Sequence, residues 1–186
     1  MTKPLYAGLL GERWRILPAA IRDAHSPAPR LDLAGRVWVA GETNPPARLI
    51  RWMLGFPEPA NDITIAVTMQ ATRSGERWTR CAGGRSFSSE LSPARSGGLV
   101  QERFGPLLFA MDLPSDGKGL EMIFVAWRLG PLPLPAWLAP RFEAREFVDD
   151  RGRFNFDVSL ALPLIGRLVA YRGWLELAVT NDAKAS

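Results

Sequence analysis

One cysteine and one histidine in 186 residues remove several chemistries at the outset. Cys81 alone can form neither an internal disulfide nor a thiolate metal cluster, so the chain reads as suited to a reducing cytoplasm, with no metal and no cofactor. His25 is the only imidazole through which a Ser-His-Asp arrangement would have to run. Lysine is scarce as well, since 20 of the 23 basic residues are Arg, scattered along the chain rather than gathered in a stripe. Arg141, Arg145, Arg151 and Arg153 are matched by Glu143, Glu146, Asp149 and Asp150, so the formal charge of +4 does not read as a nucleic-acid footprint. No run approaches the ~20 apolar residues that span a bilayer. Glu12, Arg13 and Arg15 interrupt the N-terminal apolar stretch before it could serve as a signal-peptide core. The expectation is a soluble cytoplasmic protein, at most in peripheral contact with a membrane.

Apolar material is plentiful. With 47% hydrophobic residues, seven Trp and nine Phe, the chain can fill a core as one domain over 1–186. Residues 1–25 form a helical segment, 36–179 hold a helix and an antiparallel sheet, and 180–186 are a tail. In the first segment Tyr6, Leu9, Leu10, Trp14, Leu17 and Ile21 recur at spacings of three and four, the signature of one helical face. Pro18 starts a second short helix that ends near His25, and Ser26-Pro27-Ala28-Pro29 reads as an extended connector. Val37, Trp38 and Val39 suggest a strand. Asn44-Pro45-Pro46 leads into a helix over Ala47 to Leu54, closed by Gly55 and Pro57. Its face of Leu49, Ile50, Met53 and Leu54 is expected to pack on the sheet, with Arg48 and Arg51 elsewhere on the wheel.

From Ile63 the period changes to two, as in a half-buried strand, and Ser74-Gly75 turns it into a partner near Glu76. Further strands are predicted over 84–91, 99–104, 107–113, 119–129, 141–149, 152–161 and 167–179. Short turns between them imply an antiparallel meander. LEMIFVAWRL and LVAYRGWLELAV are apolar on both faces, which predicts a sheet covered on both sides there and therefore curled. The fold class is α+β and β-dominated: N-terminal helices plus a curved antiparallel meander forming a barrel or half-barrel.

No residue stands out as catalytic. His25 reads as a cap or packing group at a helix end, and Cys81 as a small buried hydrophobe. Glu121, Glu143, Glu146, Asp157 and Glu176 fall on strands; two of them inside a barrel would suit acid/base work, but pairing across strands with Arg128, Arg141, Arg145, Arg153 and Arg172 is the favoured reading. Arg172 lies within an apolar strand on the face of Ala170 and Trp174, where a charge must be paired or solvated. Either Glu121 or Asp157 holds it, or it meets an anionic head group. The segment 130–140 alternates Leu and Pro, which bars it from a regular ladder. Its side chains form a core plug, a lid over an apolar pocket, or a tip for a membrane or partner. Candidate ligand-binding residues are Arg172, Trp174, Trp127, Leu134 and Trp137.

The runs LLGERWRILPAAIRDAH, ERFGPLLFAMDL, FVAWRLGPLPLPAWLAPR and GRFNFDVSLALPLIGRLVAYRGWL occur in an order that resembles the bacterial domain-of-unknown-function family 4166. FGP, the Leu-Pro segment and YRGW carry most of the likeness. The resemblance implies a bacterial origin and brings no activity or site residues. It also implies an accessory role beside an oxidoreductase, because similar segments follow saccharopine-dehydrogenase-like or short-chain-reductase-like regions; this chain has no Gly-rich phosphate loop of its own. The leading expectation is non-enzymatic binding of an apolar or amphipathic small molecule in a curved sheet. The alternative is an interaction module docking to an oxidoreductase or a membrane surface, and the third an enzyme of another class.

Overall fold

Gly11, with φ of 59°, breaks the apolar stripe near the N-terminus, so three short helices stand where two were expected. These are α1 (Leu5–Leu10), α2 (Glu12–Ile16) and α3 (Ala19–Ala24) in a computed structural model that describes residues 3–95 and 97–178. None has the length to persist alone in water. They are held by Tyr6, Leu10, Leu17 and Ile21, all buried in the core cluster they share with the strands.

The strands follow as β1 (Arg30–Ala40), β2 (Ala60–Ala71), β3 (Glu76–Ala82), β4 (Arg85–Pro93), β5 (Val100–Phe104), β6 (Leu107–Asp112), β7 (Gly119–Leu129), β8 (Leu132–Pro133), β9 (Arg141–Val148), β10 (Phe154–Leu162) and β11 (Gly166–Leu177). A helix, α4 (Pro45–Leu54), lies between β1 and β2. All pairings are antiparallel, with β1 joined to β11 and β6 to β7, so ten strands close into a barrel and β8 hangs on the edge of β7. The meander and its curling are as the strand pattern implied. β1 begins at Arg30, ahead of the expected 36, and the tail 180–186 lies outside the described residues together with position 179.

An antiparallel barrel has two distinct ends. One gathers the starts of β1, β3 and β7 and the end of β9, and α1 to α3 close it: the Leu5 amide donates to Glu76, and Arg13 donates to the carbonyl of Leu113. The other end gathers the end of β7, the β10–β11 hairpin and α4. There β7 changes neighbour. Its residues Gly119 to Ile123 pair with β9, whereas Ile123 to Leu129 pair with β6.

Two expectations about coverage need correction. The outer face of β7 is not covered, since Ile123 and Val125 are about half exposed. In β11 the adjacent Leu168 and Val169 are both buried, but Arg172 and Leu177 are exposed, so double coverage is confined to the stretch beside α4. Helix α4 meets the expectation only in part, since Ile50, Met53 and Leu54 line the barrel interior but Leu49 does not. Asn44 caps it by accepting from the Ala47 amide, and Gly55 ends it at φ 72°. Its fully buried residues, however, are Ala47 and Arg51; Ile50 and Leu54 are half-buried, Met53 is largely exposed at the rim of the barrel interior, and Leu49 and Trp52 point to solvent. The reason is polar. The Arg51 guanidinium donates to the carbonyls of Glu42 and Leu168 and to Glu58, satisfying backbone groups at the barrel rim.

Candidate functional site

Alternation on ten strands points one side chain in two into the barrel, and the interior they enclose is not full. Toward the α4 end lies a chamber of about 250 Å³, walled almost wholly by carbon: Met53 and Leu54 of α4, Phe109 of β6, Phe124 and Trp127 of β7, Leu160 of β10 and Val169 of β11. Toward the helix-capped end lies a second space of about 80 Å³ bounded by Tyr6, Arg80, Glu102 and Glu146 as well as apolar groups. Glu102, Phe104, Phe142, Val158 and Tyr171 border both. The two spaces therefore adjoin across a shared wall, the one apolar toward α4 and the other with polar groups at the floor of the barrel.

The floor is assembled from distant parts of the chain. Strand β3 turns Glu76, Trp78 and Arg80 inward, β5 supplies Glu102, β9 supplies Glu146, and α1 and α3 supply Tyr6 and His25. Glu76 accepts from the Leu5 amide and from Trp78 Nε1. Arg80 donates to Ser89 Oγ at 2.9 Å and to Glu102 Oε1 at 3.4 Å, its guanidinium lying over the rings of Trp78 and Phe87. His25 Nε2 and Glu146 Oε2 are 2.6 Å apart, with the imidazole stacked on Tyr6 at 4.1 Å. Every one of these groups is at least nine-tenths buried.

Two polar atoms in this cluster have no partner among the described residues, the Tyr6 hydroxyl and His25 Nδ1. The Tyr6 hydroxyl is held well above the ordinary tyrosine range by burial and then by the fields of Glu146, Glu102 and Glu76, which outweigh Arg80. Tyr171 is shifted the same way, by burial first. A hydroxyl so buried and neutral keeps its capacity to donate and to accept a hydrogen bond.

Of the residues singled out from the sequence, Trp127 lines the apolar chamber. Leu134 is half-buried, and its amide donates to the Trp127 carbonyl. Trp137 is 73% exposed, which removes the core-plug reading of the Leu-Pro segment. The segment also does join the ladder: Leu132 and Pro133 pair with Leu129 and Arg128, at an edge where proline's missing donor faces no strand. Arg172 and Trp174 lie outside the barrel. Arg172 is exposed opposite Asp157 and Trp38, with no ion pair among the described residues, and Trp174 is half-buried under the guanidinium of Arg153 at 4.4 Å. The buried pair envisaged for Arg172 is thus replaced by solvation, because the outer face at that point is open.

Of the five strand carboxylates only Glu146 faces inward, and its partner is His25 rather than an arginine. Glu121 stands opposite Arg145, and Asp157 opposite Arg145 and Arg172, without closing to ion-pair distance among the described residues. Cys81 is exposed, not buried, since it shares the outer face of β3 with Arg77. Sequence reading missed Tyr6, Glu76, Arg80 and Glu102 as site residues. In Glu76-Arg77-Trp78-Thr79-Arg80 both alternating sets carry charged or polar residues, and Trp78 alone marks the inward one.

A family model described as Domain of unknown function (DUF4166) matches residues 17–175. No curated protein matches the chain.

Proposed function

We propose, from the premise that the chain belongs to the DUF4166 family and that this description names no activity, that the barrel binds one apolar or amphipathic small molecule in its interior. The observation that carries this reading is the carbon-lined chamber of about 250 Å³. An apolar cavity of ~150 Å³ already holds a benzene ring. The apolar wall supplies affinity by removing hydrocarbon from water, and the few polar groups at the floor supply orientation. Titration with a neutral fluorescent probe such as N-phenyl-1-naphthylamine tests it. Saturable enhancement at one site per chain, displaced by octanol and lost in a folded Leu160→Trp or Val169→Phe variant, is expected. An absence of saturable binding, or binding untouched by these variants, would sink the proposal.

A second observation favours contact of the α4 end with a lipid surface. Leu49, Trp52 and Met53 of α4, Leu129, Leu132 and Trp137 beside the Leu-Pro segment, and Leu164 all expose large apolar side chains there. Leu164 is fully exposed at φ 64°, a left-handed conformation that leucine adopts only at a cost in strain. Exposed Arg48, Arg128, Arg141 and Arg167 stand among them against Glu42 and Glu143, while Glu58 is engaged by Arg51 and Arg85. Apolar tips ringed by cations match an anionic bilayer. The protein should float with vesicles containing phosphatidylglycerol and less so with phosphatidylcholine alone. A Trp52→Ser, Trp137→Ser, Leu164→Asn variant should stay behind, and equal flotation of the two proteins would refute this contact.

A further inference from the structure

The polar floor lies at the closed end of the barrel and the apolar chamber between it and α4, so a ligand entering past α4 would place its polar end first and leave its hydrocarbon behind. What that polar end must be follows from the groups that await it. Glu76 is saturated by the Leu5 amide and Trp78. Arg80, the cation of the floor, is engaged by Ser89 and Glu102. Glu146 gives one oxygen to His25, and the Tyr6 hydroxyl gives nothing to anything.

Three buried carboxylates thus share this end of the barrel with one guanidinium and one imidazole, Arg80 already facing Glu102 and His25 already facing Glu146. Coulomb energies inside a protein are several-fold larger than in water, so an added negative charge would be repelled here. It would also be stripped of water, while among the described residues Arg80 and His25 are already turned to carboxylates of the protein. A hydroxyl or ammonium meets the opposite situation, because it donates to Glu102 or Glu146, and the Tyr6 hydroxyl can donate to an alcohol oxygen. Burial raises the Tyr6 hydroxyl first, and the fields of Glu146, Glu102 and Glu76 add to it.

We infer that the floor formed by Tyr6, Arg80, Glu102 and Glu146 selects amphiphiles whose polar end donates hydrogen bonds and carries no negative charge, and excludes fatty acids. The inference rests on the reading of the barrel as an amphiphile-binding protein and specifies its ligand class.

The test is isothermal titration of the full chain at pH 7 with four eight-carbon probes, octanol, octylamine, octanoate and octane. Octanol or octylamine should bind at least ten-fold more tightly than octanoate, and more tightly than octane. Which of the two is preferred separates a hydroxyl from an ammonium as the head. Tyr6→Phe should weaken octanol several-fold while leaving octane unchanged, and Glu102→Gln should narrow the gap to octanoate. Octanoate binding as well as octanol would overturn the inference and leave the cavity reading standing. So would equal affinity of octanol and octane, since the floor would then be out of reach. Failure of all four probes, octane included, would overturn the cavity reading itself and this inference with it. Should Glu102→Gln not fold, Tyr6→Phe decides alone, because it removes one oxygen that has no partner to lose.

Discussion

At the scale of single residues the strongest local dependence is that of Glu146 on His25. A carboxylate this deeply buried is tolerated because the imidazole meets it at 2.6 Å, and the imidazole is in turn fixed between Tyr6, Trp78 and Phe154. His25→Leu preserves most of the packing and deletes the partner. It should destabilise the fold by about 3 kcal/mol or more, as does breaking other buried pairs. Adding Glu146→Leu should return much of that loss, because the stranded charge is gone. Urea midpoints of the two single variants and the double variant measure this, and simple additivity of the two effects would show that the groups do not depend on one another. Tyr6→Phe provides the contrast: with no hydrogen bond to lose, it should shift stability by no more than about 1 kcal/mol.

Among the elements, α4 shows how far a pattern can be read and where it misleads. Its limits were legible because Asn44, Pro45 and Gly55 are local signals that act through their own backbone. Its orientation was legible only in part: Ile50 and Leu54 turn to the interior as the wheel implies, but a wheel assumes that water takes the polar face, whereas here Arg51 turns inward to carbonyls contributed by Glu42 and Leu168. Arg51→Met should leave those two carbonyls without this donor, a loss of about 2 kcal/mol or more. A midpoint unchanged in urea would show that water replaces the guanidinium. The β9–β10 hairpin offers a pH test. The Arg153 amide, and then its side chain, hold the Asp149 carboxyl down at about 2 from an ordinary 3.8. A carboxyl depressed by folding stabilises above its unfolded value and ceases to do so as pH falls from about 4 through about 2. Asp149→Asn should therefore lie below the parent protein in thermal midpoint at pH 7 and converge with it near pH 2. A gap that persists in acid would assign the effect to shape rather than charge.

For the whole molecule, the strands and their order were readable because each is local and joined to the next by a short turn, but closure and the floor of the cavity were not. Closure depends on β1 meeting β11 across most of the chain, and the floor on side chains from α1, α3, β3, β5 and β9 converging, which no spacing encodes. One sequence feature does bear on closure, although it reads in isolation only as weak strand propensity. Gly35 and Gly173 sit where β1 crosses β11, and a Cβ at Gly35 would lie 1.8 Å from the carbonyl oxygen of Trp174, one at Gly173 2.1 Å from that of Arg36. These atoms belong to backbone and cannot swing aside, so a methyl group must push the two strands apart. Gly173→Ala should destabilise by about 1 to 3 kcal/mol, the usual range for overpacking. The same barrel should also bind the neutral fluorescent probe less well, because the strands that wall the chamber include β10 and β11. Gly97, with open space around its Cα, is the control, and alanine there should be neutral or slightly stabilising through the unfolded chain. If Gly173→Ala melts with the Gly97→Ala control, the close approach of β1 and β11 is not what keeps the barrel shut.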